Sequence, residues 1–310
     1  MTSIGQAVEE YLAMRRALGF KLRLPGGMLR EFASYLKHEG ASHITTDLAL
    51  RWAKRPVEAQ PAQWANRLGV VRRFARYLSA SDPHTEVPPL GLLPHRYRRK
   101  QPYIYSDAEI RDLLRAAHRL PSTTGLRAAS YSTLIGLLAV TGLRISEAIG
   151  LDDQDVDWAE GILTIRQTKF KKSRMVPVHP STARALRRYL RLRDRLRPLR
   201  STDAFFLSEH GNRLTDCTAR WTFNKLSRET GVRGQTDRRG PRLHDFRHRL
   251  AVKALVQWYR QGADVEGRLP VLSTYLGHAH VTDTYWYLTA VPELLRLAAD
   301  RLEVRGGPQP

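Results

Sequence analysis

The sequence predicts a mostly α-helical protein of two domains, the second of which also contains a small antiparallel β-hairpin or sheet. Three observations lead to this fold class. Apolar residues recur at helical spacing through most of the 310 residues, a proline-rich stretch interrupts the pattern near residue 90, and one pair of short segments has the alternation of strands. The apolar fraction of 42% is typical of globular proteins, and the length is enough for two cores.

Residues 1–81 are predicted to form an all-helical domain of four helices. The first two carry apolar residues one helical turn apart, and the third begins at the capping residues Thr45–Asp47. The fourth has its apolar residues on one side and Arg72, Arg73 and Arg76 on other faces. Such a basic face is either a solvated surface or a DNA contact, and beside a second basic domain we favour DNA contact.

The chain is strongly basic, with 51 Lys and Arg against 30 Asp and Glu, a formal charge of +21 and a pI near 10.7. Because each Lys or Arg that meets a phosphate releases a counterion, this surplus favours a nucleic-acid partner over an anionic lipid surface. The single Cys217 excludes an internal disulfide and is interpreted as a buried or incidental thiol. No apolar run has membrane-spanning length and no signal-like start is present, so a cytoplasmic protein is expected, and it would be nucleoid-associated if its partner is DNA.

Residues 82–102 are predicted to form an extended interdomain linker. Five prolines in this stretch prevent a continuous helix. A basic cluster lies near its end, at Arg96, Arg98, Arg99 and Lys100. A linker of this composition can lie along a DNA backbone.

Residues 103–310 are predicted to fold as a mixed α+β domain. A capping box at Ser106 and Glu109 begins its first helix, and Gly142 ends the second with positive φ. Two strands are joined by a basic turn, and the remaining segments are helical except for a short apolar strand or turn. The strands are predicted at 162–166 and 174–178, the turn at 167–173, the helices at 182–196, 216–228, 244–259, 269–276, 283–288 and 292–304, and the apolar strand or turn at 205–207.

Two segments of this domain offer positive charge for a phosphate. In TGLRISE, Arg144 stands at a helix start with Glu147 one turn on, which is either an arginine braced by a carboxylate or an ordinary surface ion pair. In the hairpin turn, Lys169, Lys171 and Lys172 either include a proton donor for a leaving oxygen or form a solvated charge run.

The segment HDFRH supports two interpretations. On a helix, His244 and Arg247 project from one face, a pair that suits a phosphodiester because Arg neutralises charge while His moves a proton. His244 and His248 also stand four residues apart with Asp245 between them, which mimics the metal-binding pattern H-E-x-x-H. The substituted acid and the lack of an evident third ligand count against zinc.

A fourth segment contains His278 and two tyrosines, Tyr285 and Tyr287. A tyrosine can attack phosphorus directly and form an ester that keeps the bond energy for resealing. Taken alone, core aromatic residues on a short helix are the simpler interpretation.

Together, the four segments resemble the tyrosine recombinase (phage integrase) family in order, spacing and wording over about residues 103–290. TGLRISE is similar to the family's first-arginine box, TKFKKSRMVPV to its β-hairpin lysine segment, HDFRH to its His-x-x-Arg box and LGHAHVTDTYWYL to its terminal box. In the family the nucleophilic tyrosine lies nine residues after the histidine of the terminal box, and here His278 plus nine is Tyr287. The N-terminal helices resemble the family's core-binding domain, and the stretch before His278 resembles transposon-borne members.

The resemblance implies roles for the charged residues. Arg144 and Arg247 would clamp the scissile phosphate and stabilise the charge of the transition state. Lys169 would donate a proton to the departing 5′-oxygen. Glu147 would orient Arg144 or the histidine of the next box.

The resemblance also assigns the nucleophile and the histidines. Tyr287 would attack the phosphate, with Tyr285 as the competing tyrosine two residues earlier. His244 would act as general base or acid near Tyr287, and His278 would hydrogen-bond the phosphate.

The activity implied by the resemblance is site-specific DNA recombination, as in integration, excision or transposition, through a covalent 3′-phosphotyrosine. The enzyme would bind duplex DNA with inverted half-sites as a homo-tetramer, starting from a free monomer or dimer. Its C-terminal helix would pack on a neighbouring protomer or on its own domain. No metal or cofactor is expected, because Arg and Lys supply the positive charge.

Two alternatives share parts of this pattern. A type IB topoisomerase has the same chemistry, but the separate core-binding-like domain argues against it. A catalytically inactive or accessory DNA-binding protein is disfavoured because all six expected catalytic side chains are present.

Overall fold

The computed structural model describes residues 3–94, 101–166, 173–199, 201–237, 240–289 and 291–305. The chain divides into two compact units, Met1–Lys100 and Gln101–Pro310, each with a hydrophobic core of its own. It is mostly helical with one three-stranded antiparallel sheet, which confirms the predicted fold class. In the described part of the chain, no helix is both long and apolar enough to cross a membrane.

The N-terminal unit contains the four predicted helices. Side chains cap two of them, since Ser3 accepts a hydrogen bond from the amide of Gln6 and Thr45 accepts one from the amide of Leu48. The four helices bury their apolar sides against one another. They are α1 (Ile4–Ala17), α2 (Arg23–His38), α3 (Thr46–Lys54) and α4 (Pro61–Leu78).

The segment after α4 differs from the linker predicted for residues 82–102. Leu93 is buried in the N-terminal core, and Arg72 donates hydrogen bonds of 2.7 Å to the carbonyls of Pro88 and Pro89. Proline lacks an amide hydrogen but keeps its carbonyl, so a guanidinium group can hold a proline-rich stretch that cannot form a β-ladder. Most of the described part of this segment therefore belongs to the first unit.

The C-terminal unit is built around α6, whose side chains are buried on nearly all sides. In chain order its elements are α5 (Asp107–His118), α6 (Leu126–Thr141), α7 (Ile145–Ile149), β1 (Val156–Asp157), β2 (Ile162–Ile165), β3 (Arg174–Pro177), α8 (Pro180–Leu196), α9 (Asp216–Glu229), α10 (Asp245–Arg260), α11 (Val265–Leu276), α12 (Thr282–Tyr285) and α13 (Pro292–Arg305), with 3-10 turns at Asp153–Asp155 and Trp286–Thr289. Helices α5, α8 and α10 pack against α6 and form the main core with it.

Local signals placed many of these elements correctly. The capping box is present in both directions, because Ser106 accepts a hydrogen bond from the amide of Glu109 and the Glu109 carboxylate accepts one from the amide of Ser106. The hairpin of β2 and β3 forms as predicted, with Leu163 opposite Val176.

Three features differ from expectation. The sheet has a third strand, β1, whose two residues are too few to show alternation in the sequence. Helix α11 begins at Val265 and not at residue 269, because Asp264 caps it and the helix continues through Pro270. Of the two interpretations of Cys217, a buried or an incidental thiol, the first is wrong, because this free thiol is exposed.

The C-terminal helix α13 packs on its own unit in the single chain. Leu294 is buried in a small cluster with Tyr287 and apolar residues of α10 and α11. Arg301 donates hydrogen bonds to the carbonyls of Gly262 and Ala263, in the turn that follows α10. Of the two arrangements considered for this helix, the single chain adopts packing on its own domain.

Candidate active site

The first arginine segment is placed by the close approach of two helices. Gly142 ends α6 with φ 60°, and a Cβ there would lie 2.8 Å from the side chain of Leu250 and 3.4 Å from the Cα of Arg247. Glycine therefore suits this position both by its conformation and by the lack of a side chain. The tight turn puts Arg144, which precedes α7, within electrostatic range of Arg247.

Arg144 is held by a buried carboxylate. Its backbone amide and its guanidinium donate hydrogen bonds of 2.9 and 2.7 Å to the two oxygens of Glu147. Arg174, at the start of β3, donates to both oxygens of the same carboxylate at 3.0 and 2.8 Å. Burial by itself would raise the pKa of Glu147, but the hydrogen bonds and charge of Arg174, followed by the hydrogen bonds of Arg144, hold the pKa at about 2. This pair is the braced arginine and not a surface ion pair.

Arg247 lies deeper in the same site and is only 1% exposed. Its guanidinium donates hydrogen bonds to the carbonyl of Gly142, at 3.1 Å, and to the carbonyl of Leu276. Burial, reinforced by the positive charge of Arg144, lowers the pKa of Arg247 to about 10. The group stays charged at neutral pH, and a phosphate is the kind of anion that its planar donors match.

The terminal segment brings His278 and Tyr287 together. Their rings are nearly parallel with centroids 6.1 Å apart, and Nδ1 of His278 shares a 2.7 Å hydrogen bond with the hydroxyl of Thr284. Tyr287 is 2% exposed and lies within electrostatic range of Arg247, whereas Tyr285 is 49% exposed. The geometry therefore favours Tyr287 over Tyr285 as the tyrosine of the site.

Two histidines at the start of α10 contact each other, and one of them, His248, lies beside this tyrosine. The ring of His244 is perpendicular to that of His248, with centroids 4.7 Å apart, and the ring of His248 lies 5.5 Å from that of Tyr287. His244 is exposed to solvent. Desolvation by the surrounding protein, together with His248 and Arg247, nevertheless lowers the pKa of His244. A neutral ring is favoured, and a neutral ring can accept a proton.

The pattern that mimics a zinc motif serves another purpose here. Asp245 accepts hydrogen bonds from the backbone amide and the guanidinium of Arg242, at 2.7 and 3.2 Å. Within the described residues, no three side chains of His, Cys, Asp or Glu are grouped as metal ligands.

The other predicted residues are divided between the N-terminal unit and undescribed segments. On α4, Arg73 and Arg76 are exposed, while Arg72 is engaged by the two proline carbonyls. Seven of the predicted basic residues lie outside the described part of the chain: Lys169, Lys171, Lys172, Arg96, Arg98, Arg99 and Lys100.

Arg174 is the site residue that sequence reasoning missed. Its partners Glu147 and Tyr275 are 27 and 101 residues away in the chain, so no local pattern reveals them. One signal was available, because strand alternation puts Arg174 on the same face of β3 as the buried Val176. An arginine on a buried face requires an anion or several carbonyls nearby.

Comparisons with known proteins agree with this arrangement. Residues 105–293, which span every predicted site residue of the C-terminal unit, match the phage integrase family. The chain belongs to this family. Membership confirms the predicted class of enzyme, a tyrosine site-specific recombinase.

Relatives and solved structures extend the match to the whole chain. The integrase/recombinase y4rB of Sinorhizobium fredii is 52% identical over 98% of both chains, and the tyrosine recombinase XerC of Chlamydia caviae is 30% identical over 71% of this chain and 65% of its own. The Tn1549 transposon integrase, solved in complex with transposon right end DNA, covers 97% of this chain and 99% of its own with a TM-score of 0.67 at 16% identity. The XerH recombinase, solved bound to its palindromic difH substrate, covers 90% and 78% with a TM-score of 0.65 at 19% identity. At these identities the two structures show a shared fold.

Proposed function

We propose that this chain recombines duplex DNA at specific sites by joining Tyr287 covalently to a 3′-phosphate. The observation that carries the proposal is the grouping of one buried tyrosine with His278, His248, Arg247 and Arg144 in a single site. A nucleophile, neutral imidazoles and two guanidinium groups are what cleavage of a phosphodiester requires.

In the proposed cleavage step, the Tyr287 oxygen bonds to phosphorus as the bond from phosphorus to the 5′-oxygen breaks. Arg144 and Arg247 donate hydrogen bonds to the non-bridging oxygens and stabilise the extra negative charge of the transition state. His278 donates a further hydrogen bond to the same phosphate.

Two proton transfers complete this step. His244 accepts the phenolic proton of Tyr287, and Lys169 gives a proton to the departing 5′-oxygen. In the reverse direction a 5′-hydroxyl attacks the phosphotyrosine, which restores the diester and frees the tyrosine. The number of phosphoester bonds is unchanged, so no nucleotide needs to be hydrolysed.

The proposed substrate is duplex DNA with inverted half-sites, bound by a homo-tetramer that forms from free monomers or dimers. The charge of +21 supports this partner, as do the DNA complexes of the Tn1549 integrase and XerH and the lambda integrase tetramer solved on a Holliday junction. Residues 1–81 would act as the core-binding domain, with Arg73 and Arg76 toward the DNA and the basic cluster before residue 101 along its backbone. A cytoplasmic, nucleoid-associated location, in integration, excision or transposition, is part of this proposal.

Covalent trapping tests the proposal. A half-site is first selected from random-sequence DNA by binding to the wild type, and a nicked duplex carrying it is then incubated with protein in EDTA and run on a denaturing gel. We expect a protein–DNA adduct with wild type and Tyr285→Phe, and none with Tyr287→Phe. If the adduct is lost only in Tyr285→Phe, the nucleophile is Tyr285 and not Tyr287. If the half-site is bound and no adduct forms, an accessory DNA-binding protein is favoured.

A further inference from the structure

Three consecutive carbonyls at the end of α11 each accept a hydrogen bond from a different arginine. The bonds run from Arg174 to Tyr275 at 2.9 Å, from Arg247 to Leu276, and from Arg144 to Gly277 at 3.2 Å. The last carbonyls of a helix lack intrahelical partners and carry the negative end of the helix dipole, which stabilises cations. The turn immediately before His278 is therefore where the three guanidinium groups meet.

Arg174 is the most fully engaged of the three. Its Nε donates to the carbonyl of Tyr275, and its Nη1 and Nη2 donate to the two oxygens of Glu147, so every guanidinium nitrogen has a partner. Its side chain is 9% exposed, against 29% for that of Arg144. Arg174 is thus placed to hold neighbouring groups, whereas Arg144 retains a surface that a phosphate can approach.

The backbone at Gly277 is shaped around Arg174. Gly277 has φ 69°, and a Cβ there would lie 2.7 Å from Nη1 and 2.8 Å from Cζ of Arg174. A side chain at this position would therefore displace the guanidinium, in addition to the strain of a left-handed conformation. Strand β3, helix α7 and the end of α11 meet at this one arginine.

We propose that Arg174 is a positioning residue for DNA cleavage, which fixes Glu147, and through it Arg144, against the turn that carries His278. The inference rests on the proposed function and adds a residue to which the family resemblance assigned no role. Arg174 also begins β3 five residues after Lys169, so its contacts fix the strand that follows the segment containing this lysine in the chain.

Loss of Arg174 would change the charge balance around a buried carboxylate. Glu147 faces three cations, Arg144 before α7, Arg174 on β3 and Arg247 on α10. Burial raises the pKa of Glu147, and without its strongest partner this effect is less opposed, so the pKa rises and the carboxylate takes up a proton in mild acid. A protonated Glu147 holds Arg144 less firmly, because a charge-assisted hydrogen bond becomes a neutral one.

Single-turnover cleavage of a pre-bound, nicked half-site tests this role, with DNA affinity measured separately. We expect Arg174→Met to cleave about 100-fold more slowly than wild type and Arg174→Lys about tenfold, because misplacement of a catalytic group by about 1 Å has effects of this size. Dissociation constants for the half-site should stay within about threefold of wild type, since Arg174 does not bind the phosphate itself.

The matched control is Arg193→Lys on α8. Arg193 is more deeply buried than Arg174, with 0% against 9% of its side chain exposed, and it also donates to carboxylates and to backbone carbonyls. Its partners lie at positions 153, 194, 204 and 205, and none of them is a residue of the candidate site. We expect this variant to cleave at the wild-type rate once bound, even where its thermal stability is lower.

The pH profile separates positioning from a general loss of stability. The ratio of the wild-type rate to the Arg174→Met rate should grow as the pH falls from about 8 to about 5, because Glu147 stays ionised only in the wild type. Protonation of His244 affects both proteins and cancels in the ratio.

A pair of glycine variants tests the same contact while leaving Arg174 in the chain. Gly277 and Gly262 both have positive φ, at 69° and 66°, but a Cβ at Gly262 would meet nothing within 4 Å. We expect Gly277→Ala to slow cleavage at least about tenfold with the pH trend of Arg174→Met, and Gly262→Ala to leave cleavage unchanged. If Arg174→Met does not fold, Arg174→Lys and Gly277→Ala decide the question.

Equal cleavage rates for Arg174→Lys and Arg193→Lys, or a rate ratio that is flat with pH, would overturn the positioning role. Either result leaves the covalent adduct of the wild type in place. Failure of the wild type to form that adduct would instead overturn the proposed function.

Discussion

Two buried arginines of the C-terminal unit lie in opposite electrostatic surroundings. On α8, Arg193 is 0% exposed and forms ion pairs with Asp153 and Asp194 at 2.7 and 2.8 Å. On α10, Arg247 is 1% exposed and donates to two backbone carbonyls, and no carboxylate among the described residues lies within ion-pair distance of it. The depth of burial is the same, and the difference is the counter-ion.

The pKa values of the two groups shift in opposite directions. Burial lowers both, but the hydrogen bonds and charges of Asp153 and Asp194 raise the pKa of Arg193 above its usual value, whereas that of Arg247 falls to about 10. A buried charge without a counter-ion is costly, and an anion that binds there recovers part of that cost. Arg193 is therefore a structural cation, whereas Arg247 has no carboxylate at ion-pair distance among the described residues, and under the proposed function a phosphate would supply the missing counter-ion.

Removal of each charge should have different consequences for stability. We expect Arg193→Met to reduce the free energy of unfolding by about 3 kcal/mol, because it leaves carboxylates and buried carbonyls without a partner. We expect Arg247→Met to change it by less than about 1 kcal/mol, because lost carbonyl hydrogen bonds are offset by removal of a desolvated charge. Urea unfolding of both variants measures the difference, and similar losses in the two would contradict the contrast.

Sequence spacing could identify Arg247 but not the contrast with Arg193. HDFRH is a short pattern, so the family resemblance picks out its arginine directly. Arg193 lies in an arginine-rich helix, and its partner Asp153 is 40 residues away. Whether a carboxylate reaches a buried arginine depends on contacts across the fold, which spacing within one segment does not contain.

The same limit applies to the fold as a whole. The capping box at Ser106 and the end of α6 at Gly142 were predictable, because their partners lie within one turn. The packing of the proline-rich segment was not, because it depends on Arg72, which lies 16 residues before Pro88. Contacts of Arg174 are more distant still. Through Glu147 and through its close approach to Gly277, they join three of the four segments that the family resemblance had identified separately.

Histidines near Arg247 extend the contrast to pH. Burial, with the positive charges of Arg242 and Arg247 and the neighbouring His278, lowers the pKa of His248 to about 4. The unfolded chain, with a pKa near 6.5, then binds the proton more tightly than the folded one. The contribution of neutral His248 to the free energy of unfolding is therefore fully present above about pH 6.5, and it is lost as the pH falls toward about 4.

We accordingly expect the wild type to lose up to about 2 kcal/mol more than His248→Gln between about pH 7 and pH 5. The free energy of unfolding of Arg193→Met should depend on pH as that of the wild type does, because the partners named above for Arg193 include no histidine. Urea unfolding at several pH values makes the comparison. Parallel curves for wild type and His248→Gln would show that this histidine does not remain neutral in the fold.

Binding of a simple anion is the smallest expected effect, and it probes the uncompensated charge itself. At about tenfold its dissociation constant, inorganic phosphate or sulfate should stabilise the wild type by about 1.4 kcal/mol, and Arg247→Met by clearly less. Two controls are needed. Sodium chloride at equal ionic strength measures how far simple screening of the +21 charge stabilises the protein. The Arg247→Met variant measures the general stabilisation that sulfate gives because it is excluded from protein surfaces. Arg193→Met should respond as the wild type does, because its counter-ions are part of the fold. If the anion raises the free energy of unfolding equally in wild type and Arg247→Met, it binds elsewhere on the basic surface. Phosphate binding would then not explain why Arg247 is buried with no carboxylate at ion-pair distance among the described residues.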